Sequence, residues 1–291
     1  MKEQQSSGAI GTVVSLWRYP VKSMMGEDLN SSYVTERGLV GDRTYAIVDK
    51  QTGKAASAKN PRKWGKLFDF RSMFIDSPND DDDTNNIPPV RITFPDGSNI
   101  FSDRTEEGND VDSRLSQVFN REVKLMKASD FEEPSYEEYW PDIDGLARRD
   151  QVTDEAMPSK TFFDIAVIHI LTTSTIDRLR ELYPQGRFEV RRFRPNIVVE
   201  SAVPEEKNKK NDFIENSWVG KKMIIGKDIV LNVTAPCTRY VMITLPQGDL
   251  PQDLDILSTV AKYNQVHVGV YASVEHGGMI HRGDIVQIEE K

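Results

Sequence analysis

The feature that most limits the fold of this chain is a succession of short β-rich stretches, with turns between them and few helical patterns. A β-branched and aromatic stretch at residues 10–17 ends before Pro20, which breaks the strand. Residues 222–225 and 229–233 have the pattern of a hairpin around a Gly-Lys-Asp turn. Strands at such short spacing predict a mostly β protein of the α+β class, built from barrels rather than from a regular βαβ alternation.

The chain is long enough for two domains, since it has 291 residues. Two strand-rich parts are separated by residues 131–149, which are rich in carboxylates and aromatic side chains. We expect an N-terminal β-barrel domain at 1–130, an acidic linker at 131–149 and a C-terminal β-barrel domain with few helices at 150–291. In the C-terminal part, 161–171 and 241–244 are expected to be strands, and the hydroxyls of 172–174 are expected to cap a helix.

The charge balance and the cysteine count exclude several classes of function. Lys and Arg number 37 against 46 Asp and Glu, a net charge of −9. A general nucleic-acid binder needs a surplus of cations, so no nucleic-acid partner is expected. The single cysteine, Cys237, excludes an internal disulfide and a zinc or iron–sulfur site made of cysteines alone.

Hydropathy gives an expectation about location. No stretch approaches the length of about 18 apolar residues that a membrane-spanning helix needs, so no membrane partner is expected. The first seven residues are polar and lack the apolar core of a signal peptide. The sequence therefore predicts a cytoplasmic protein.

The four histidines do not form a metal-binding pattern. They are scattered at 169, 267, 276 and 281, without the two-histidine helical spacing of zinc hydrolases. A structural role is the simpler interpretation for each of them. His169 lies in an apolar stretch, needs a polar partner there, and is the histidine that could line a pocket.

Four loop segments next to predicted strands carry groups that bind anions or form hydrogen bonds. They are Tyr-Pro-Val-Lys-Ser at 19–23, Gly-Asp-Arg at 41–43, Phe-Arg-Pro-Asn at 193–196 and Pro-Cys-Thr-Arg-Tyr at 236–240. Binding groups concentrate on such loops, and arginine grips phosphate and carboxylate groups in a bidentate fork. We therefore expect one site for a polyanionic small molecule, lined by Lys22, Arg43, Arg194 and Arg239. The alternative is that these cations are solvated or pair with the abundant carboxylates.

These segments, in their residues and in their order, resemble those of the MOSC family, and the resemblance covers nearly the whole chain. Residues 10–127 resemble the β-barrel domain that precedes MOSC domains, and residues 150–287 resemble the MOSC domain itself. The most telling stretches are Phe-Arg-Pro-Asn-Ile-Val at 193–198, the Trp-x-Gly…Ile-Gly run at 218–226, Thr-Leu-Pro-Gln-Gly-Asp-Leu-Pro at 244–251 and the Gly-x-x-x-x-Gly-Asp pattern at 278–284.

The resemblance implies a molybdenum cofactor, molybdopterin, whose pterin carries a phosphate and a dithiolene that holds the metal. Relatives of the two-domain, amidoxime-reducing type reduce N-hydroxylated compounds with electrons from a partner protein. Carried over by position, the resemblance implies cofactor contacts for Lys22, Ser23, Arg43, Thr172, Thr175, Arg194, Asn196, Thr238 and Arg239.

The sequence departs from the family at the metal ligand. The family motif Pro-Cys-x-Arg-Cys supplies the molybdenum thiolate from its second cysteine, whose position is Tyr240 here. A phenol with an ordinary pKa of about 10 thus replaces a readily ionised thiol. Tyr240 and Cys237 are the candidate metal donors. Cys237 lies three residues earlier, where an extended segment would direct its side chain to the opposite face, so we expect it to be a small buried packing residue.

Three functions follow from these observations. The first is a molybdenum-cofactor oxidoreductase that reduces N-hydroxylated molecules, and the resemblance favours it. The second is a metal-independent enzyme on the same scaffold, acting on a small anionic or polyketide-like molecule. Tyr240, His169 or Lys22 would be its acid–base groups. The third is a non-catalytic protein that binds or carries the cofactor and catalyses no reaction with it.

Overall fold

The part of the chain that the structure describes is built mostly of strands, as the sequence predicts. This computed structural model describes residues 8–78, 87–104, 110–144, 146, 148–201 and 213–289. Its strands are β1 (Ala9–Arg18), β2 (Glu27–Leu29), β3 (Ser31–Thr35), β4 (Gly38–Leu39), β5 (Tyr45–Asp49), β6 (Arg71–Phe74), β7 (Val90–Thr93), β8 (Asn99–Phe101), β9 (Val123–Lys127), β10 (Ser135–Trp140), β11 (Gln151–Ala156), β12 (Ile168–Thr172), β13 (Ile197–Ser201), β14 (Lys222–Ile225), β15 (Ile229–Thr238), β16 (His267–His276), β17 (Gly278–His281) and β18 (Ile285–Glu289).

Helices are few and short. The α-helices of the described residues are α1 (Pro61–Trp64), α2 (Val111–Phe119), α3 (Thr173–Leu182), α4 (Val190–Phe193) and α5 (Asp255–Asn264), and 3-10 helices lie at Gly65–Asp69, Ala128–Asp130, Ile214–Trp218 and Val241–Thr244. Helix α3 begins after Thr172, whose side chain accepts a hydrogen bond from the Thr175 amide, as predicted. Within the described ranges, no helix combines the length and apolar character needed to cross a bilayer.

A closed barrel of seven strands forms the larger part of the structure. The strands follow each other in the order β13, β12, β16, β15, β14, β18 and β1, and β1 pairs with β13 to close the ring. Closure leaves no free sheet edge, and side chains such as Leu16, Ile170, Met223 and Val270 fill the interior. The first strand of the chain is therefore paired with strands from its second half.

A second hydrophobic core lies in the N-terminal half. It is enclosed by the β5–β9 pair, the β6–β7–β8 sheet and helix α2. Phe70 packs edge-on against Phe94, with ring centroids 5.1 Å apart, and Leu115 of α2 is fully buried beside them. A turn at 96–97 connects β7 and β8.

The segment expected to be an acidic linker is packed against the protein. Its central residues form β10, which pairs along its whole length with β11, and the side chains of Tyr136 and Glu138 are buried. The carboxylates are neutralised by lysines of the 54–63 segment: Lys63 Nζ lies 2.6 Å from Glu137 Oε2 and Lys59 Nζ lies 3.3 Å from Glu138 Oε2. The segment expected to be a linker therefore contains a packed strand at Ser135–Trp140.

One of the predicted strands is wrong and another is right only in part. The strand expected at 161–171 begins at Ile168, as β12 (Ile168–Thr172), and 161–167 is irregular. Apolar burial explains the misleading pattern, since Phe162 and Phe163 are buried without belonging to a sheet. Val241–Thr244 forms a 3-10 helix, in which Thr244 Oγ1 donates a hydrogen bond to the Val241 carbonyl at 2.7 Å. Both irregular segments face the cavity described next.

Candidate functional site

All four predicted loop segments reach one cavity, which we call the cation pocket. The candidate residues that line it are Lys22, Ser23, Arg43, His169, Arg194, Asn196, Cys237, Thr238, Arg239 and Tyr240. Lys22, Arg43, Arg194 and Arg239 therefore line one cavity, and their role as a binding site stays a prediction. Lys59 and Asp164 also line this cavity, and no local sequence pattern pointed to either.

Asp164 holds the two lysines of the cation pocket. Lys22 Nζ contacts the Asp164 carboxylate and donates to the Phe162 carbonyl at 3.0 Å, and Lys59 Nζ lies 2.9 Å from Asp164 Oδ2. Burial alone would raise the pKa of Asp164, but the two ammonium groups outweigh it and hold that pKa well below its usual range. Asp164 is therefore an internal anion that forms ion pairs with both lysines.

Arg43 and Asn196 meet at the buried carboxylate of Asp42. Arg43 Nη1 contacts Asp42 Oδ2, and Asn196 Nδ2 donates to the same oxygen at 2.9 Å. The other oxygen accepts from the Tyr19 amide at 2.7 Å. The Gly-Asp-Arg and Phe-Arg-Pro-Asn segments are thus joined through a single carboxylate.

Arg194 is a buried cation without a carboxylate partner. Its residue is only 5 % exposed, Nη1 donates to the Met24 carbonyl at 2.5 Å, and the guanidinium lies 4.1 Å from the centre of the Tyr19 ring. Among the described residues, it forms no salt bridge. Burial lowers the pKa of Arg194 to about 10. A buried charge of this kind is unfavourable until an anion compensates it.

Three residues that line the cation pocket have left-handed backbone conformations, which L-amino acids seldom adopt. The φ angles are +63° at Ser23, +51° at Arg43 and +52° at Arg194. Strained backbone persists where the surrounding structure enforces it, and it concentrates at binding and catalytic sites. Ser23 Oγ also accepts from the Ala58 amide at 3.1 Å, which fixes the loop.

Cys237 is a buried thiol held beside a guanidinium. Arg239 Nη1 donates to Cys237 Sγ at 2.9 Å, and its Nη2 donates to the Phe193 carbonyl at 2.8 Å. Burial raises the pKa of the thiol, but Arg239 and the neighbouring His169 outweigh burial and bring it down to about 6. The thiol is therefore mainly a thiolate at neutral pH. His169 is itself oriented by Nε2, which lies 3.1 Å from the Val268 carbonyl.

Cys237 is buried as predicted, but it lines the same cavity as Tyr240, so the prediction that it faces the opposite side is wrong. The strict alternation of an extended chain does not apply, because β15 has an irregular register between Pro236 and Thr238 and ends at Thr238. Tyr240 lies between the strand and the following 3-10 helix. The chain turns between the two side chains and brings both into the cation pocket.

Tyr240 is a neutral phenol in this site. Lys59 Nζ lies 3.9 Å from the centre of its ring, and the Trp140 ring meets it edge-on with centroids 5.7 Å apart. Burial raises the pKa of Tyr240 above its usual value. A phenol that keeps its proton is a poor metal ligand.

Thr172 and Thr175 lie outside the cation pocket. Both hydroxyls donate to Oε2 of the buried Glu215, at 2.8 and 2.7 Å. Burial raises the pKa of Glu215. These threonines fasten α3 to the 3-10 helix at Ile214–Trp218, and their cofactor contacts, which the resemblance implies, stay a prediction.

The donor atoms of the cation pocket suit an anionic organic group better than a bare metal ion. Within the described residues, no group of three or more His, Cys, Asp or Glu side chains is placed to hold a metal. The chain's single cysteine contributes the thiolate. The nearby cations and hydroxyl and amide groups match a phosphate and the edge of a nitrogen heterocycle.

Comparison with known proteins gives relatives that span most of this chain. Mouse "Mitochondrial amidoxime-reducing component 1" is 23 % identical over 310 residues, which cover 96 % of this chain and 82 % of that protein. "Molybdenum cofactor sulfurase" of Oryza sativa subsp. japonica is 23 % identical over 266 residues, which cover 85 % of this chain and 30 % of the sulfurase. The solved structure of the YUAD protein from Bacillus subtilis is 10 % identical, with a TM-score of 0.45 over 98 % of this chain and 100 % of that one.

Two family models together account for most of the sequence. Residues 159–287 match the MOSC domain, and residues 10–130 match the MOSC N-terminal beta barrel domain. The two matches lie in the order that the sequence motifs predict. The chain belongs to the MOSC domain family, in the form that carries the MOSC N-terminal β-barrel domain.

Proposed function

We propose that this protein is an oxidoreductase that binds a molybdenum cofactor in the cation pocket and reduces N-hydroxylated small molecules. The observation that carries the proposal is that one cavity holds both the buried guanidinium of Arg194, which forms no salt bridge with a described residue, and the buried Cys237, whose thiol pKa is lowered by Arg239. The first needs an anion, and the second is a soft donor for a metal. The reaction class, a reduction, is taken from the amidoxime-reducing relatives.

The residues of the cation pocket fit a pterin that carries a phosphate. Arg194 and Arg239 would grip the phosphate, and Asn196, Ser23 and Thr238 would bind the ring edge. Arg239 Nε is buried and has no partner among the described residues, so it has a donor to offer. The cavity volume is about 80 Å³, so the cavity must widen to admit a group of this size.

Cys237 would supply the sulfur ligand in place of the family's second cysteine. A molybdenum centre, when bound, supplies two-electron transfer. Reduction of an N–OH group to N–H with release of water consumes two electrons and two protons. The electrons would come from an electron-donor protein, and the Tyr240 hydroxyl, which keeps its proton at neutral pH, is placed to give one of the protons.

A second candidate is a metal-independent enzyme that acts on a small anionic molecule. The observation that favours it is the neutral phenol of Tyr240 at the position of the family's metal ligand. In this case Cys237 would be a nucleophile and Tyr240 an acid, without any metal. Arg194 would hold an anionic group of the substrate.

Metal analysis separates the two candidates. Wild type, Cys237→Ser and Tyr240→Cys are purified side by side from a host that makes the cofactor, and molybdenum and pterin are measured. We expect close to one equivalent of both in the wild type and loss of molybdenum in Cys237→Ser. Negligible molybdenum in all three proteins would overturn the proposal in favour of the metal-independent enzyme.

A further inference from the structure

A second cavity, which we call the chamber, adjoins the cation pocket. Asp164, Ile165 and Tyr240 line both cavities and separate them. The β10–β11 hairpin forms the opposite wall of the chamber. Its cavity volume is about 270 Å³, against about 80 Å³ for the cation pocket. The chamber therefore has room for a single-ring organic molecule, which the cation pocket lacks in this arrangement.

Aromatic side chains form the walls of the chamber. Trp140 and Tyr240 meet at an interplanar angle of 84°, so two differently oriented ring surfaces border the same space. Tyr136 closes the inner end, where it is buried. Arg148 covers the outer side, with its guanidinium 5.8 Å from the centre of the Trp140 ring. Walls of this kind favour a flat, aromatic ligand.

Glu138 lines the chamber, and one of its carboxylate oxygens is buried without a hydrogen-bond partner among the described residues. The residue is 1 % exposed. Its Oε2 accepts from the Tyr136 hydroxyl at 3.4 Å and lies 3.3 Å from Lys59 Nζ. Its Oε1 has no hydrogen-bond partner among the described residues. A buried acceptor left unpaired is unfavourable, and a donor from a ligand would remove that penalty.

We propose that the chamber binds a planar aromatic molecule that carries an N–H donor. The ring packs against Trp140 and Tyr240, and the N–H group donates to Oε1 of Glu138. Such a ligand lies next to the cation pocket with only Tyr240, Asp164 and Ile165 between them. This inference deepens the proposed function, because the chamber is the substrate site only if the protein is the proposed reductase. Binding of the aromatic molecule itself needs no metal and no electron donor.

The test compares two neutral probes of the same shape, benzamide and acetophenone, of which only benzamide carries N–H donors. Dissociation constants are measured at pH 8 by ligand-observed NMR titration of the full chain. We expect benzamide to bind about tenfold more tightly than acetophenone, as suits a hydrogen bond to a charged acceptor. Equal affinities for the two probes would overturn the proposal.

Two variants locate the binding site. Glu138→Gln replaces the charged acceptor by a neutral amide oxygen and should weaken benzamide binding about fivefold, and Trp140→Leu should weaken the binding of both probes. The matched control is Glu137→Gln, the same substitution one residue away, where the side chain contacts Lys63 and Asn60 instead. The proposal would be contradicted if Glu138→Gln changed the affinity for benzamide no more than Glu137→Gln does.

The outcomes are independent of the metal analysis. Should Glu138→Gln fail to fold, the ratio of the two probes in the wild type and the loss in Trp140→Leu decide the question. A protein without molybdenum that still prefers benzamide in the chamber would contradict the proposed reductase but support this site. A molybdenum-loaded protein with no such preference would do the reverse.

Discussion

Arg239 Nη1 donates a hydrogen bond to the Sγ atom of Cys237 at 2.9 Å, and both side chains are buried. The pair lies where β15 ends, at Thr238, and Arg239 Nη2 donates a second hydrogen bond to the Phe193 carbonyl. A thiolate and a guanidinium therefore compensate each other in a place where either alone would be unfavourable. This pairing makes the only cysteine of the chain a chemically active group.

The ionisation of Cys237 can be measured directly, because the chain has one cysteine. Thiolate absorbance near 240 nm should rise with a midpoint at about pH 6 in the wild type. Arg239→Gln removes the guanidinium and should move the midpoint upward by at least about one pH unit, and Arg239→Lys, which keeps the charge, should move it less. A midpoint in Arg239→Gln equal to that of the wild type would show that Arg239 does not ionise the thiol.

The same ionisation predicts a pH dependence of stability. The pKa of Cys237 is about 6 in the folded protein and about 8.5 in an unfolded chain. Its contribution is complete above about pH 8.5 and is lost as the pH falls to about 6. The free energy of unfolding of the wild type, relative to that of Cys237→Ser, should thus rise with pH across this window in urea titrations. A difference that is independent of pH would contradict the assignment.

Arg194 should control the affinity of the cation pocket for anions. Arg194→Lys keeps the charge but loses the planar fork, and we expect it to weaken the binding of inorganic phosphate by roughly 1.5–3 kcal/mol. Isothermal titration calorimetry gives the dissociation constants. Arg191→Lys is the control, because Arg191 pairs with Glu189 and Asp249 at the surface. If Arg194→Lys left the affinity for phosphate unchanged, Arg194 would have a structural role and not a binding one.

The sequence predicted those parts of the fold and site that depend on local pattern. Strand β1 and the β14–β15 hairpin follow from β-branched and turn residues, and the loops between strands contain the four cations of the cation pocket. Lys59 and Asp164 could not be found this way, since their ion pair joins segments far apart in the chain. The orientation of Cys237 depends on a register irregularity in β15, which no local pattern encodes.

Asp164 should limit access to the cation pocket. Asp164→Asn keeps the shape of the side chain but releases Lys22 and Lys59, so phosphate should bind more tightly. The same change leaves the buried ammonium group of Lys22 without its carboxylate and leaves Lys59 paired with Glu138, and we expect it to lower the free energy of unfolding by about 3–5 kcal/mol. Calorimetry and urea titration measure the two effects. Weaker phosphate binding in a folded Asp164→Asn protein would contradict the role of Asp164 as an internal anion.

The pH dependence of the Asp164 contribution has a definite sign. Because the pKa of Asp164 is lower in the folded protein than its ordinary value of about 3.9, its ion pairs stabilise the fold fully above that value. The stabilisation falls as the pH drops below it. Acid unfolding of the wild type should therefore be steeper than that of Asp164→Asn.

The hydroxyl of Tyr240 should serve the reaction and not the fold. Tyr240→Phe keeps the ring between Lys59 and Trp140, and the hydroxyl forms no hydrogen bond with any described residue, so the free energy of unfolding should change by less than about 0.5 kcal/mol. Molybdenum content should equal that of the wild type, because the donor proposed for the metal is Cys237. The rate at which an N-hydroxylated test compound is reduced should fall about 100-fold, the loss expected when a positioned proton donor is removed. Burial keeps this phenol protonated throughout the neutral range, so the fall should be the same at pH 6 and pH 8. A rate equal to that of the wild type would assign the proton to another group, and a loss of molybdenum in Tyr240→Phe would instead make the Tyr240 oxygen a ligand of the metal.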